Sequence, residues 1–171
     1  MKPEEARMLI IEKYSDSHLD RLTHTFGVAE MAEYLAKKYG VDEDKALTAS
    51  YMHDYSKYDP EEDAVGKLTD EEITECHRFP FLYHAYLSAY YYKKLGGNDD
   101  DVYNAIKHHV FGRPNMSKLE EIIMIADYTE KNRKYPSCIE AREILLSGNL
   151  NLAIYKSLEA TINHCQKRGD E

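Results

Sequence analysis

The hydrophobic positions of this chain recur at the spacing of amphipathic helices along almost its whole length. Val28, Ala32 and Leu35, for example, fall on one stripe of a helix. No run of alternating β-branched residues, the usual signature of a strand, interrupts this pattern. The sequence therefore predicts an all-α protein, with helices near residues 3–14, 18–39, 43–53, 70–76, 81–95, 99–109, 117–131, 138–147 and 149–168.

Residues that start and end helices support these boundaries. Gly40 follows the second predicted helix, and Ser117 with Glu120 forms a capping box at the start of the seventh. No internal repeat, linker or low-complexity stretch marks a second domain. A chain of 171 residues with 43% hydrophobic content suits one compact domain. We therefore expect a single compact helical bundle over residues 1–171.

The charge of the chain narrows the classes of partner. A net charge of -9 argues against a broad nucleic-acid surface, because such surfaces depend on clustered Lys and Arg. No apolar run approaches the roughly 20 residues that span a bilayer, and the N-terminal segment MKPEEARMLIIEKYSDS is too charged for a signal peptide. Cys76, Cys138 and Cys165 show no CxxC spacing, so we expect reduced, structural thiols. A cytoplasmic protein without membrane or nucleic-acid partners is predicted.

Residues that can bind metal interrupt the apolar stripes of the predicted helices. His24 shares a stripe with Val28, and His53 continues the pattern of Ala49, with Asp54 directly after it. Neighbours in a regular helix point about 100° apart, but a fraying last turn lets both side chains turn toward one point. The His–Asp pair is therefore expected at a helix end.

The same anomaly occurs three more times, at His84, His109 and Asp127. Taken singly, a buried His is usually a hydrogen-bonded core residue, and a buried Asp is usually paired or capped. Six such residues would require six separate sets of partners, whereas one metal cluster would satisfy them together. The sequence thus predicts a metal site whose ligands are His24, His53, Asp54, His84, His109 and Asp127.

The order of a His, an adjacent His–Asp pair and a distant Asp resembles the motif of the HD-domain metal-dependent phosphohydrolases. The longer segments RLTHT, HDYSK and HHVFGRPNMSKLEEIIMIADYTEKNR further resemble the YqeK type of bacterial HD proteins, the symmetrical bis(5'-nucleosyl)-tetraphosphatases. The last segment is long and specific. The resemblance implies one HD domain, with its core motif region at about residues 18–143 and a C-terminal helix at about 149–168.

The resemblance also implies how the ligands would be divided between two metal ions. Imidazole and carboxylate ligands without thiolate favour iron, manganese, cobalt or zinc, and iron is our first expectation. A hydroxide bridging the two ions would attack the phosphate, so Asp54 is expected to be catalytic as well as a ligand. By resemblance, Asp54 would bridge the ions, His24, His53 and Asp127 would hold one ion, and His84 and His109 would hold the other.

Cationic residues follow the expected ligands in three segments. A single Lys or Arg is usually solvated, but Lys57, three residues after Asp54, is placed to reach a phosphate oxygen and to assist catalysis. Arg113 and Arg133 are expected to fork onto neighbouring phosphates. Arg21 is instead expected to be a structural ion-pair partner. The predicted substrate-binding residues are Lys57, His109, Arg113 and Arg133.

The reaction that the resemblance implies is cleavage of diadenosine tetraphosphate into two molecules of ADP. Three alternatives stay open: a nucleotide or nucleoside triphosphate phosphohydrolase that uses the same site, a nucleotide-sensing module without turnover, and a di-iron centre for oxygen chemistry. In the first two and in the main hypothesis the partner is a small nucleotide. The exposed tyrosines and apolar residues also permit a homodimer.

Overall fold

The computed structural model describes residues 1–169, and within this range the protein is all-α, as predicted. Its nine α-helices in this range match the predicted ones closely. A short 3₁₀ helix, Glu61–Ala64, separates the third α-helix from the fourth. The helices are α1 (Pro3–Tyr14), α2 (Leu19–Tyr39), α3 (Glu43–Met52), α4 (Asp70–Arg78), α5 (Leu82–Lys94), α6 (Asp100–Lys107), α7 (Lys118–Thr129), α8 (Pro136–Leu146) and α9 (Leu150–Arg168).

The helix ends follow local chemistry. The capping box at the start of α7 is confirmed, since the Ser117 hydroxyl accepts a hydrogen bond from the Glu120 N–H at 3.1 Å. Gly40 ends α2 in the left-handed region, with φ of 69°. The predicted sixth helix ended two residues too late, because the backbone leaves the helix at His108 with ψ of 14°. His109 therefore lies just beyond α6 rather than inside it.

The core lies where α2, α3, α6 and α7 pack on one another. Small residues on α2 and α3, such as Ala32 and Ala49, are fully buried and let the helices approach closely, while Ile106 and Ile123 fill the space that α6 and α7 leave. Helices α8 and α9 pack together against α7. This arrangement brings the C-terminal ends of α3 and α6 to the second turn of α2 and the end of α7.

Two general features of the described residues agree with the sequence analysis. All three cysteines are free thiols, with Cys76 and Cys138 buried and Cys165 half-buried. Among the helices described, none has the length and apolar character that crossing a membrane requires.

Candidate metal centre

The six predicted metal ligands converge on one point from five parts of the fold. His24 comes from α2, His84 from α5 and Asp127 from α7, while His53, Asp54 and His109 lie just after α3 and α6. His24, His53, Asp54 and His109 are buried, and the side chains of His84 and Asp127 are 12% and 20% exposed. The cluster is therefore largely closed off from solvent by the helices that supply it.

Asp54 lies at the centre of the cluster. Its Oδ1 is 3.2 Å from Nε2 of His84 and 3.6 Å from Nε2 of His109. Its Oδ2 is 3.3 Å from Nε2 of His53 and 3.7 Å from Nε2 of His24. Each carboxylate oxygen thus faces a different pair of histidines, as a ligand shared between two ions would.

The Nε2 atoms of His24 and His53 test whether the centre fits a metal. They lie 2.9 and 3.5 Å from Oδ1 of Asp127, yet both are buried and neither makes a hydrogen bond of good geometry. Buried polar atoms that have no partner are costly. The donor atoms of His24, His53 and Asp127 all lie within 4.8 Å of one another, and so do those of His53, Asp54 and His109. A divalent cation at the shared point satisfies them, so the residues fit a metal.

The orientation of three of these histidine rings is fixed by a hydrogen bond at Nδ1, the nitrogen that faces away from the cluster. The Nδ1–H groups of His53 and His109 donate to the carbonyl oxygens three residues earlier, at 2.6 and 2.7 Å. Nδ1 of His24 instead donates to Oε2 of Glu130 at 2.9 Å. Such outer bonds orient a ligand and leave the lone pair of Nε2 for the metal.

Sequence reasoning missed the role of Glu130. This buried carboxylate also accepts a hydrogen bond from the N–H of Asn132, and Gly27 of α2 leaves it room: a Cβ at that glycine would lie 2.5 Å from Oε1 of Glu130. Burial opposes the ionised form, but the bonds from His24 and Asn132 outweigh it and lower the pKa of Glu130. The sequence signal that could have indicated this role is that Glu130 lies three residues after Asp127, on the same face of the predicted helix.

Burial and close charges set the protonation of the cluster. Burial raises the pKa of Asp54 and Asp127, but the surrounding histidines outweigh it and hold both pKa values well below the usual range. Burial lowers the pKa of His53, yet the two carboxylates raise it to about 10. Burial lowers the pKa of His84 to about 4. The pair of ionised carboxylates attracts positive charge, and a divalent cation competes with the His53 proton for the same Nε2.

Two arginines form ion pairs with the carboxylates of the cluster. Nη1 of Arg21 lies 2.8 Å from Oδ2 of Asp54, which is the ion pair expected from the sequence. Arg133 donates from Nε to the carbonyl oxygen of Asp127 at 3.0 Å and from Nη2 to its Oδ1 at 3.1 Å. Both guanidinium groups keep further N–H donors for other ligands.

Only some of the predicted phosphate contacts lie beside the metal ligands. Lys57, His109 and Arg133 border a cavity of about 210 Å³, hereafter the metal cavity. Arg113 is not among its lining residues, and it forms a two-point ion pair with Glu120 at 2.8 and 2.8 Å. The phosphate contact of Arg113 stays a prediction.

The C-terminal helix also contributes to the metal cavity, which sequence reasoning did not foresee. Residues of α9 form part of the wall, and Phe81 and Phe111 form apolar parts of it. The amphipathic pattern of α9 gives its buried face but not the partner that its C-terminal turns meet. The residues contributed by α9 are Thr161, His164 and Cys165.

Comparisons with known proteins agree with this geometry. Residues 21–132 match the family model of the HD domain. The symmetrical bis(5'-nucleosyl)-tetraphosphatase of Bacillus subtilis is 35% identical over 172 residues, with 98% of this chain and 90% of the relative covered. The protein of the same name from Halalkalibacterium halodurans is 41% identical, with 86% of this chain and 80% of the relative covered.

A solved structure shows the same fold. The crystal structure of a predicted HD superfamily hydrolase involved in NAD metabolism, from Clostridium acetobutylicum, has a TM-score of 0.84 and 34% identity, with 98% of this chain and 89% of that chain covered. The family match covers both ends of the His, His–Asp, Asp series that forms the cluster. The chain belongs to the HD-domain family, and its relatives include the symmetrical bis(5'-nucleosyl)-tetraphosphatases.

Proposed function

We propose that this chain is a metal-dependent hydrolase that cleaves diadenosine tetraphosphate symmetrically into two molecules of ADP. The observation that carries the proposal is the position of the Asp54 carboxylate at the centre of a buried cluster. Its two oxygens face two different pairs of histidines. Relatives that carry the name of this activity cover nearly the whole chain. Together they support both the site and the substrate.

The ligand set supports two divalent ions. When bound, such ions supply a water molecule of lowered pKa and neutralise charge that develops on the phosphate. Nitrogen and oxygen ligands suit iron, manganese, cobalt or zinc, and we propose iron first. In the proposed division, Asp54 is shared, His24, His53 and Asp127 hold one ion, and His84 and His109 hold the other.

The side chains around the ligands bind and orient the substrate. Lys57 and Arg133 border the metal cavity, so their charged groups can hold phosphate oxygens beside the cluster. Arg133 uses two of its N–H directions on Asp127, which fixes the guanidinium while others remain for a phosphate. Phe81 and Phe111 give the same cavity an apolar part of its wall. Positioning of this kind contributes to the rate because it replaces an encounter in solution.

The experiment is chromatographic analysis of the products from diadenosine tetraphosphate, with the metals of the same sample counted by elemental analysis. ADP as the sole product, with about two metals per chain, is the expected result. AMP with ATP would overturn the symmetrical cleavage. Turnover of nucleoside triphosphates alone would favour the alternative phosphohydrolase, tight binding without turnover would favour a sensing module, and oxygen consumption would favour oxygen chemistry.

Three statements on the domain, the compartment and the partner of the protein belong to the same proposal. Residues 1–171 form one HD domain, the protein acts in the cytoplasm, and its partner is a small nucleotide rather than a nucleic acid or a membrane. Limited proteolysis should leave one resistant fragment if there is one domain. Light scattering after size-exclusion chromatography should decide between a monomer and the homodimer that the exposed tyrosines permit.

A further inference from the structure

A second and larger cavity meets the metal cavity at Arg133. It has a volume of about 710 Å³ and is hereafter the outer cavity. Four candidate ligands line the metal cavity, namely Asp54, His84, His109 and Asp127, whereas the outer cavity is lined by a fifth, His24. Both cavities therefore reach the cluster, and they share Arg133. The residues that line the outer cavity are Asp20, Arg21, Thr23, His24, Glu130, Asn132, Arg133, Lys134 and Tyr135.

The volumes decide how a dinucleotide could be placed. Sites for small molecules typically have volumes of about 300 to 1,000 Å³. The metal cavity, at about 210 Å³, lies below that range, so it has room for the diphosphate of one half but not for a whole dinucleoside tetraphosphate, while the outer cavity lies inside the range. Cleavage at the middle of a symmetrical substrate leaves one nucleoside diphosphate on each side of the reacting phosphate. Each half then needs a site of its own.

The lining of the outer cavity has the chemistry of a nucleoside diphosphate site. Arg21 and Arg133 each hold a carboxylate of the cluster with one edge, at 2.8 and 3.1 Å, and both also line this cavity, so a phosphate chain can pass from the cluster along them. Lys134 adds a third cation. Tyr135 is 70% exposed, so its ring face is available to a base, and the carboxylate of Asp20 can accept hydrogen bonds from ribose hydroxyls.

We propose that the outer cavity binds the second nucleoside diphosphate half of the substrate, while the metal cavity binds the diphosphate of the first half. Tyr135 stacks on the base of the second half, and Lys134 contacts its phosphates. The inference rests on the proposed function. It explains how a single metal cluster cuts a symmetrical substrate at its middle: the two halves occupy two cavities that share one arginine, and the cluster lies between them.

The test is calorimetric titration of the metal-loaded protein with ADP. The wild type should bind two ADP per chain. Tyr135→Ala should weaken one site about 5- to 150-fold, the range expected for loss of one base stack, and leave the other unchanged. Lys134→Ala should weaken the same site, because Lys134 lines the outer cavity but not the neighbouring cavity of about 640 Å³ that also contains Tyr135. Tyr155→Ala is the matched control, because Tyr155 is 59% exposed but lines neither cavity. Both tyrosines are surface residues, so both variants should fold, as circular dichroism can verify.

One ADP per chain in the wild type, or two unchanged affinities in Tyr135→Ala, would overturn the inference. Equal weakening by Tyr155→Ala would overturn it as well, since the effect would not belong to the outer cavity. Hydrolysis of diadenosine tetraphosphate by the same sample separates this failure from failure of the proposed function. A protein that produces ADP but binds only one ADP refutes the second site alone.

Discussion

Gly27→Ala, a change of one methyl group on α2, should weaken the metal centre without touching any metal ligand. The new Cβ would lie 2.5 Å from Oε1 and 2.9 Å from Cδ of Glu130. Glu130 is buried and holds His24 at 2.9 Å, and it also accepts the N–H of Asn132. The carboxylate must therefore move, and its movement releases the imidazole that it orients.

Opposing contributions to the stability of this variant make metal affinity the better measurement. Ala in a helix interior is favoured over Gly by about 1 kcal/mol. Displacing Glu130 weakens one buried and one part-buried hydrogen bond to a charged group, each worth about 1.5 to 3 kcal/mol, so the free energy of unfolding should fall modestly. Loss of such an outer contact typically costs about 10- to 100-fold in metal affinity, which is the expected loss here.

The assay is competition with a chromophoric chelator, applied to Gly27→Ala, Glu130→Gln and the double variant. If the methyl group acts through Glu130, the two losses of affinity should not add. Glu33→Ala, at a half-exposed position of the same helix that lines neither cavity, is the control and should bind metal as the wild type does. Wild-type affinity in Gly27→Ala, or losses that add fully, would refute the reasoning.

The remaining predictions concern the ligands and the cations. His53→Ala or Asp54→Ala should abolish both turnover and retention of metal, as measured by product formation and elemental analysis. Full activity in either variant would refute the mechanism. Arg133→Ala should raise KM for diadenosine tetraphosphate at least about tenfold, because it removes a charge-assisted contact. Arg113→Ala should raise KM only a few-fold, because Arg113 pairs with Glu120 and does not line the metal cavity. The pKa of about 10 for His53 lies above its ordinary value, so below that pH a proton must leave before metal binds. Titrations in buffers of different ionisation enthalpy should therefore show release of about one proton, with apparent metal affinity rising about tenfold per pH unit near neutrality; an affinity independent of pH would contradict this.

The helices and the candidate ligands could be picked out from the sequence because both show in its local pattern. A helix that packs on a core needs an apolar stripe, and a histidine on that stripe, such as His24, is visible without any tertiary information. The convergence of residues from α2, α5 and α7 could be inferred only from their joint chemistry. The end of α6 was placed two residues late, because periodicity does not report the dihedral angle at which His108 leaves the helix.

The outer contacts of the centre could not be predicted in the same way. Glu130 contacts His24 although 106 positions of sequence separate them, and no periodicity links the end of α7 to the second turn of α2. Arg113 was expected at a phosphate because it follows a ligand segment, but Glu120, one turn into α7, binds it instead in this structure. Which neighbour a long side chain selects depends on packing, so adjacency in sequence is weak information about it.

The positions of His53 and His109 explain why helix ends form this centre. The last carbonyl groups of a helix have no partner within it. The carbonyl oxygens of Ser50 and Ile106 lie in the last turns of α3 and α6, and each accepts the Nδ1–H of the histidine that follows the helix. Each hydrogen bond thus gives one carbonyl group at the helix end a partner, and it also orients the imidazole with Nε2 toward the cluster. Because a helix C-terminus carries partial negative charge, two such ends also favour the positive charge of bound cations.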